Sequence, residues 1–212
     1  MANANSSPAY PVSLHIDYPD RNLNRLTSVF RIILIVPIFI VLTLVSGPAW
    51  GSQDSHAWHF PFMAGGILFM PTVLMLLFRW KYPRWWFDWN LNLTRFGLRV
   101  GAYLALLTDV YPSTDEEQTV HFEMPYPNVT KELKTGLPLV KWFLAIPHYI
   151  ILAFLFIGAV AVTIIAWFAI LFTGRYPRGL FDFVVGVARW GIRVSGYAFL
   201  LVTDHYPPFS LE

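Results

Sequence analysis

The side chains best able to do chemistry come in two matched sets. On a helix turning 100° per residue, Asp88, Arg95 and Arg99 lie within about 40° of one another, and so do Asp182, Arg189 and Arg193. Such a stripe has three uses. It can be a solvated polar face, a set of Asp–Arg pairs made within or between the two segments, or a phosphate site. In the last use Arg95 with Arg99, and Arg189 with Arg193, hold a lipid headgroup, helped by Arg84 and Arg178.

A third candidate is Asp54-x-His56-x-x-His59, which could bring a carboxylate and two imidazoles to one cation. An ordinary polar loop has the same composition. His148 follows Pro147 inside an apolar run, where a histidine either relays protons or is capped by a neighbour. No carboxylate lies in that run to take the proton, which favours the cap. His15 with Asp17, and His121 with Glu123, sit without a nucleophile or a pocket. There is no P-loop, no G-x-S-x-G, no H-E-x-x-H and no Cys, so no catalytic residue is expected and no cofactor is implied.

The elements that carry these residues occur twice. Tyr82-Pro83-Arg84, Phe87, Asp88, Arg95, Gly97, Arg99 and Tyr103 recur in order as Tyr176-Pro177-Arg178, Phe181, Asp182, Arg189, Gly191, Arg193 and Tyr197. Thr108-Asp109-Val110-Tyr111-Pro112 recurs as Thr203-Asp204-His205-Tyr206-Pro207. Upstream, Arg31 and Pro37 match Lys141 and Pro147, and Leu14-His15-Ile16-Asp17 resembles Val120-His121-Phe122-Glu123. The chain therefore divides into repeat 1 (1–113) and repeat 2 (114–212), joined by an acidic run at 113–119. The extended pieces alternate polar and apolar residues, the period of a strand. They are expected to pair into a small ribbon that ties the repeats together.

Composition sets the surroundings. Of 212 residues, 56% are hydrophobic and only 13% charged, about half the usual charged share. A soluble globular enzyme of this size and a disordered chain are both poorly compatible with that balance. A net charge of +2 gives no reason to expect a nucleic-acid partner. No apolar run follows a basic start within residues 1–31, so a cleavable signal peptide is not expected.

Repeat 1 carries extra polar residues around Gly47 to Phe60, which predicts a helical hairpin over about 30–80. The apolar block at about 141–173 in repeat 2 can be read as one long helix or as a hairpin turning near Gly158. Basic residues flank both ends of each block, and the positive-inside rule then favours a hairpin in each. The expected fold is an all-α membrane protein of two tandem repeats. Each has a short extended segment, a short transmembrane hairpin, and a cytosolic amphipathic interfacial helix, at about 85–108 and 179–202.

The run from Thr173 to Val194, T-G-R-Y-P-R-G-L-F-D-F-V-V-G-V-A-R-W-G-I-R-V, with Ala145-Ile146-Pro147-His148-Tyr149 and Thr203 to Phe209, closely resembles a bacterial family of integral membrane proteins catalogued as a domain of unknown function. Repeat 1 departs from it, with Arg79-Trp80-Lys81 in place of Thr173-Gly174-Arg175. The resemblance implies a bacterial membrane protein and brings no activity. The expectation is a non-catalytic accessory or scaffold subunit of a larger membrane complex. It would lie in the bacterial inner (cytoplasmic) membrane, multi-pass with both termini cytosolic, against anionic lipid and either a membrane-protein partner or further copies of itself. A small oligomeric transporter or channel, and a metal-binding protein using the 54–59 loop, are the alternatives.

Overall fold

The computed structural model describes residues 10–46, 69–79, 81–127 and 137–212. In chain order the described elements are β1 (Ser13–Ile16), α1 (Arg25–Leu34), α2 (Val36–Ser46), α3 (Phe69–Arg79), α4 (Arg84–Leu104), β2 (Val120–Glu123), α5 (Leu137–Leu144), α6 (Ile146–Thr173) and α7 (Arg178–Ala198). The protein is thus mostly helical, with one small sheet.

Local sequence accounts for the boundaries. Asn24 caps α1, its side chain accepting from Leu26 N and Thr27 N at 3.0 and 3.4 Å. α4 and α7 each follow a proline held extended, and that proline's carbonyl accepts the first helical N–H groups, from Trp86 and Phe87 in α4 and from Leu180 and Phe181 in α7. The Tyr-Pro-Arg signature is therefore a helix start. α1 and α2 meet at 43° just before Pro37, which has no N–H to continue the ladder. The same break separates α5 from α6 before Pro147. α6 ends on Gly174, whose φ of 77° is the left-handed cap that glycine takes without strain.

β1 and β2 pair antiparallel, with Leu14 opposite Phe122 and His15 opposite His121. Leu14, Ile16, Val120 and Phe122 turn inward, and the histidines outward. β1 lies on α7 and β2 on α4. The helices also exchange neighbours: α1 packs on α6, and α3 packs on α5. The largest core joins both halves through Leu14, Phe122, Phe87, Phe181 and Ile170.

The turn expected near Gly158 is absent. α6 runs unbroken for 28 residues, about 42 Å at 1.5 Å per residue. The block offers no polar turn chemistry, and Gly158 sits in ordinary contact range of Phe183 rather than in a bend. The expectation that both termini share one side of a membrane rested on that turn and loses its premise in the second half. Among the described residues α6 is the one helix long and apolar enough to cross a membrane, and the bent α1–α2 pair passes the same test if it counts as a single span.

Candidate functional site

The most distinctive chemistry lies in two buried corners at sequence-matched positions. In the first, Arg31 is buried on α1 and pairs with Asp109. Its Nη1 donates to Tyr103 O at 2.7 Å, and its guanidinium lies 4.3 Å from the Tyr103 ring centroid. In the second, Lys141 is buried on α5, with Nζ 2.6 Å from Asp204 Oδ1. It donates to Thr203 O at 2.7 Å and sits 5.2 Å from the Tyr197 ring centroid. Each cation thus has a carboxylate, a carbonyl and a ring face in place of the water that burial removes, while Arg31 Nε is buried without a hydrogen-bond partner among the described residues.

The Thr-Asp-x-Tyr-Pro signature builds these corners. Leu106 and Leu201 take left-handed φ values of 64° and 56°, turning the chain back after α4 and α7. Thr108 Oγ1 then accepts from Val110 N at 3.2 Å, and Thr203 Oγ1 from His205 N at 3.1 Å. These turns aim Asp109 at α1 and Asp204 at α5. Tyr111 OH donates to Leu34 O at 3.4 Å and Tyr206 OH to Leu144 O at 3.1 Å, fastening the turn to the end of the same helix. Sequence reasoning matched these residues as repeat markers without assigning the ion pairs. The available signal was a basic residue and an aspartate, both doubled.

The arginine stripes face inward, onto backbone. Arg95 Nε donates to Phe122 O and Arg189 Nε to Leu14 O, both at 3.1 Å. Arg99 Nη1 donates to Ser113 O at 2.8 Å, Arg193 Nη1 to Ser210 O at 3.5 Å, and Arg189 Nη1 to Leu211 O at 3.2 Å. Burial, and then the like charge of Arg95, lowers the pKa of Arg99; burial and Arg189 do the same to Arg193. Asp88 and Asp182 are exposed and belong to none of the ion pairs among the described residues, so the Asp–Arg pairing considered above is not made. A shared helical face places residues side by side; here its arginines meet backbone carbonyls of the strands and of the segments at Ser113 and Ser210–Leu211.

Arg84 and Arg178 are exposed and stack across the halves. Arg178 lies 4.9 Å from the ring of Tyr18, and Arg84 lies 5.3 Å from that of Tyr126. Tyr18 OH donates to Tyr176 O, and Tyr126 OH donates to Tyr82 O. These swapped contacts align Leu14 and Tyr18 with Phe122 and Tyr126, a register two residues further along than the His15/His121 match. A slip of two preserves which face is buried, so the alternating pattern could not distinguish the registers.

His148 is fully buried, and its Nδ1 accepts from Trp190 Nε1 at 3.1 Å. An indole N–H only donates, so the ring proton sits on Nε2. The ring stacks on Phe209 with centroids 4.0 Å apart. At the ribbon, Asp17 lies 3.3 Å from His15 Nε2 and 3.1 Å from His121 Nε2, all three side chains being exposed. Among the described residues no group of three His, Asp or Glu side chains is arranged to hold a metal ion. Asp54, His56 and His59 lie outside the described residues.

Residues 138–210 match a family model described as a Domain of unknown function (DUF4389). The matched span holds Lys141, His148, Tyr197 and Asp204, the second corner with its histidine, and lies wholly in the second half. No curated protein and no solved structure matches the chain.

Proposed function

We propose that this is a non-catalytic integral membrane protein of two similar halves, an accessory or scaffold subunit of a larger complex in the bacterial cytoplasmic membrane. One observation carries the reading. In the most apolar 18-residue window of α6, only 11% is buried. The core helix of a soluble protein hides most of its surface, whereas α6 presents Ile150, Phe154, Ile157, Ile164, Phe168 and Phe172 to its surroundings. Hydrocarbon or another apolar helix is the environment that face requires. α1 and α2 add Ile32, Ile33, Phe39 and Ile40 to the exposed apolar surface, which supports a second passage through the bilayer.

Among the described residues the halves are held by buried ion pairs and hydrogen bonds, a fixed arrangement that supports a scaffold. Headgroup contact, in this reading, is open to exposed arginines, Arg84 and Arg178 at the starts of α4 and α7 among them, while Arg95, Arg99, Arg189 and Arg193 hold the ribbon and the tail.

The absence of Cys makes the test direct. Single cysteines at Ile157, Ile164 and Phe168 should resist a membrane-impermeant maleimide in native membranes and react once detergent is added. Ready labelling in membranes overturns the membrane reading. Extraction in a lipid-preserving polymer, followed by mass measurement of the intact assembly, should reveal a stoichiometric protein partner. A particle holding only this chain and lipid overturns the accessory reading.

A further inference from the structure

We propose that Arg25 and Arg175 form a binding site for the phosphate of an anionic phospholipid, at the junction of α1 with the end of α6. The proposal rests on the membrane reading of α6.

The junction is a built latch. Leu23 N donates to Gly174 O at 2.8 Å. Arg175 Nε donates to Asn22 Oδ1 at 3.0 Å, and Arg25 Nη2 donates to Phe172 O at 3.3 Å. A Cβ placed on Gly174 would lie 3.6 Å from the Asn22 side chain and 3.8 Å from Arg25 Nε, so the Arg25 guanidinium and the Asn22 side chain that Arg175 holds both lie against one turn. Each commits one N–H to the latch, which holds its direction, and each exposed side chain keeps further N–H donors that the latch does not use. Neither is ion-paired among the described residues. Asp20 and Asp182 are the nearest carboxylates in sequence, beside Arg21 and one turn after Arg178, and both are exposed. Arg21 and Arg178 add two more exposed cations to the same end.

Position supplies the ligand. If the apolar length of α6 lies in hydrocarbon, its Gly174 end lies at headgroup depth. Two oriented guanidiniums there match a phosphodiester, which each can grip with paired N–H groups. Exposed Leu26, Val29 and Phe172 lie beside them and offer an apolar bed for acyl chains. An ion free in water has no use for that bed, and the patch of cation plus hydrocarbon favours lipid over an acidic peptide.

The test uses the full chain in nanodiscs of phosphatidylcholine with a minority of phosphatidylglycerol, and native mass spectrometry to count the lipids retained. Arg25→Gln/Arg175→Gln should lose about tenfold in phosphatidylglycerol preference, and Arg25→Lys/Arg175→Lys, which keeps charge but not the fork, should lose less. Should the glutamine variant fail to fold, the lysine variant and wild type decide: wild type must prefer phosphatidylglycerol and protect Arg25 and Arg175 from phenylglyoxal when it is added. Unchanged preference in the variants, or no protection in wild type, overturns the site. A photo-crosslinker at exposed Leu26, with Arg25 and Arg175 intact, that captures protein instead of lipid overturns it as well. Failure of the chain to stay with membranes at all would instead sink the membrane reading, a separate and visible outcome.

Discussion

The two buried corners use the same parts with different cations. Arg31 meets Asp109, the Tyr103 carbonyl and the Tyr103 ring; Lys141 meets Asp204, the Thr203 carbonyl and the Tyr197 ring. What recurs is a positive charge with a carboxylate, an acceptor and a π face around it. About two turns further on the halves part. Ile38 and Phe96 share an apolar cluster in the first, where His148 and Trp190 make a hydrogen bond in the second. The two substitutions go together, since an imidazole buried there needs the indole N–H. The comparison teaches that both halves keep the corner, while the layer behind it differs at both members of the contact.

Breaking a corner should have the largest effect. Asp109→Ala strands a buried guanidinium that cannot shed its proton, and the expected loss is about 3–5 kcal/mol of unfolding free energy in mild detergent. Asp204→Ala strands a lysine, which can lose its proton to escape the penalty, so its cost should fall at the lower end of that range. If both aspartates prove dispensable, the corners are not what fastens the returning chain. The exchange Arg31→Lys tests equivalence more finely: it should be milder than either aspartate deletion, because the carboxylate and ring remain.

The layer behind gives the next effect. Trp190→Phe leaves His148 Nδ1 buried without a donor, at an expected cost of about 1–3 kcal/mol. Adding His148→Ile restores the apolar pair of the first half and should recover much of that loss. A double-mutant cycle reads the coupling, and additivity of the two changes would show that they are independent.

How much of this was legible depends on which forces set each feature. α4 and α7 lie within a few residues of their expected limits, because proline starts and an amphipathic period are local properties. The ribbon was legible for the same reason, its period of two being visible in Leu14-His15-Ile16 and Val120-His121-Phe122. The continuity of α6 was not. The hairpin expectation counted Lys141 as a cation that must stay in the cytosol, yet Lys141 is buried against Asp204. A charge neutralised inside the protein does not orient a helix, and no local pattern announces a partner more than sixty positions away. The arginine stripes were legible only in part. The helical angle showed that Arg95 and Arg99 share a face, and only the tertiary fold shows that the face meets the carbonyls of Phe122 and Ser113.

A smaller effect should separate the halves at the end of α6. Gly174 holds φ at 77°, and the sequence-matched residue in the first half is Trp80. Gly174→Ala has room, its nearest contacts being at van der Waals distance, so the cost is conformational and about 1 kcal/mol. Thermal unfolding should show that loss without a change in oligomeric state. A larger loss would mean that the latch to Asn22 and Arg25 moves with the turn.

The smallest expected effect gives the sharpest test of equivalence. Arg178 stacks on Tyr18 and Arg84 on Tyr126, each ring coming from the opposite half, and the rings meet Phe181 and Phe87 edge-on at 5.0 and 5.2 Å. Exposed cation–π contacts contribute about 0.5–1 kcal/mol. Arg84→Gln and Arg178→Gln should therefore cost the same within error, and the double variant should cost their sum, because the two sites touch no common residue. Unequal losses would show that the swapped contacts are alike in geometry but not in energy. A sum that fails would show that the ribbon between Tyr18 and Tyr126 transmits strain from one half to the other, and the ribbon would then be a coupling element as well as a tie.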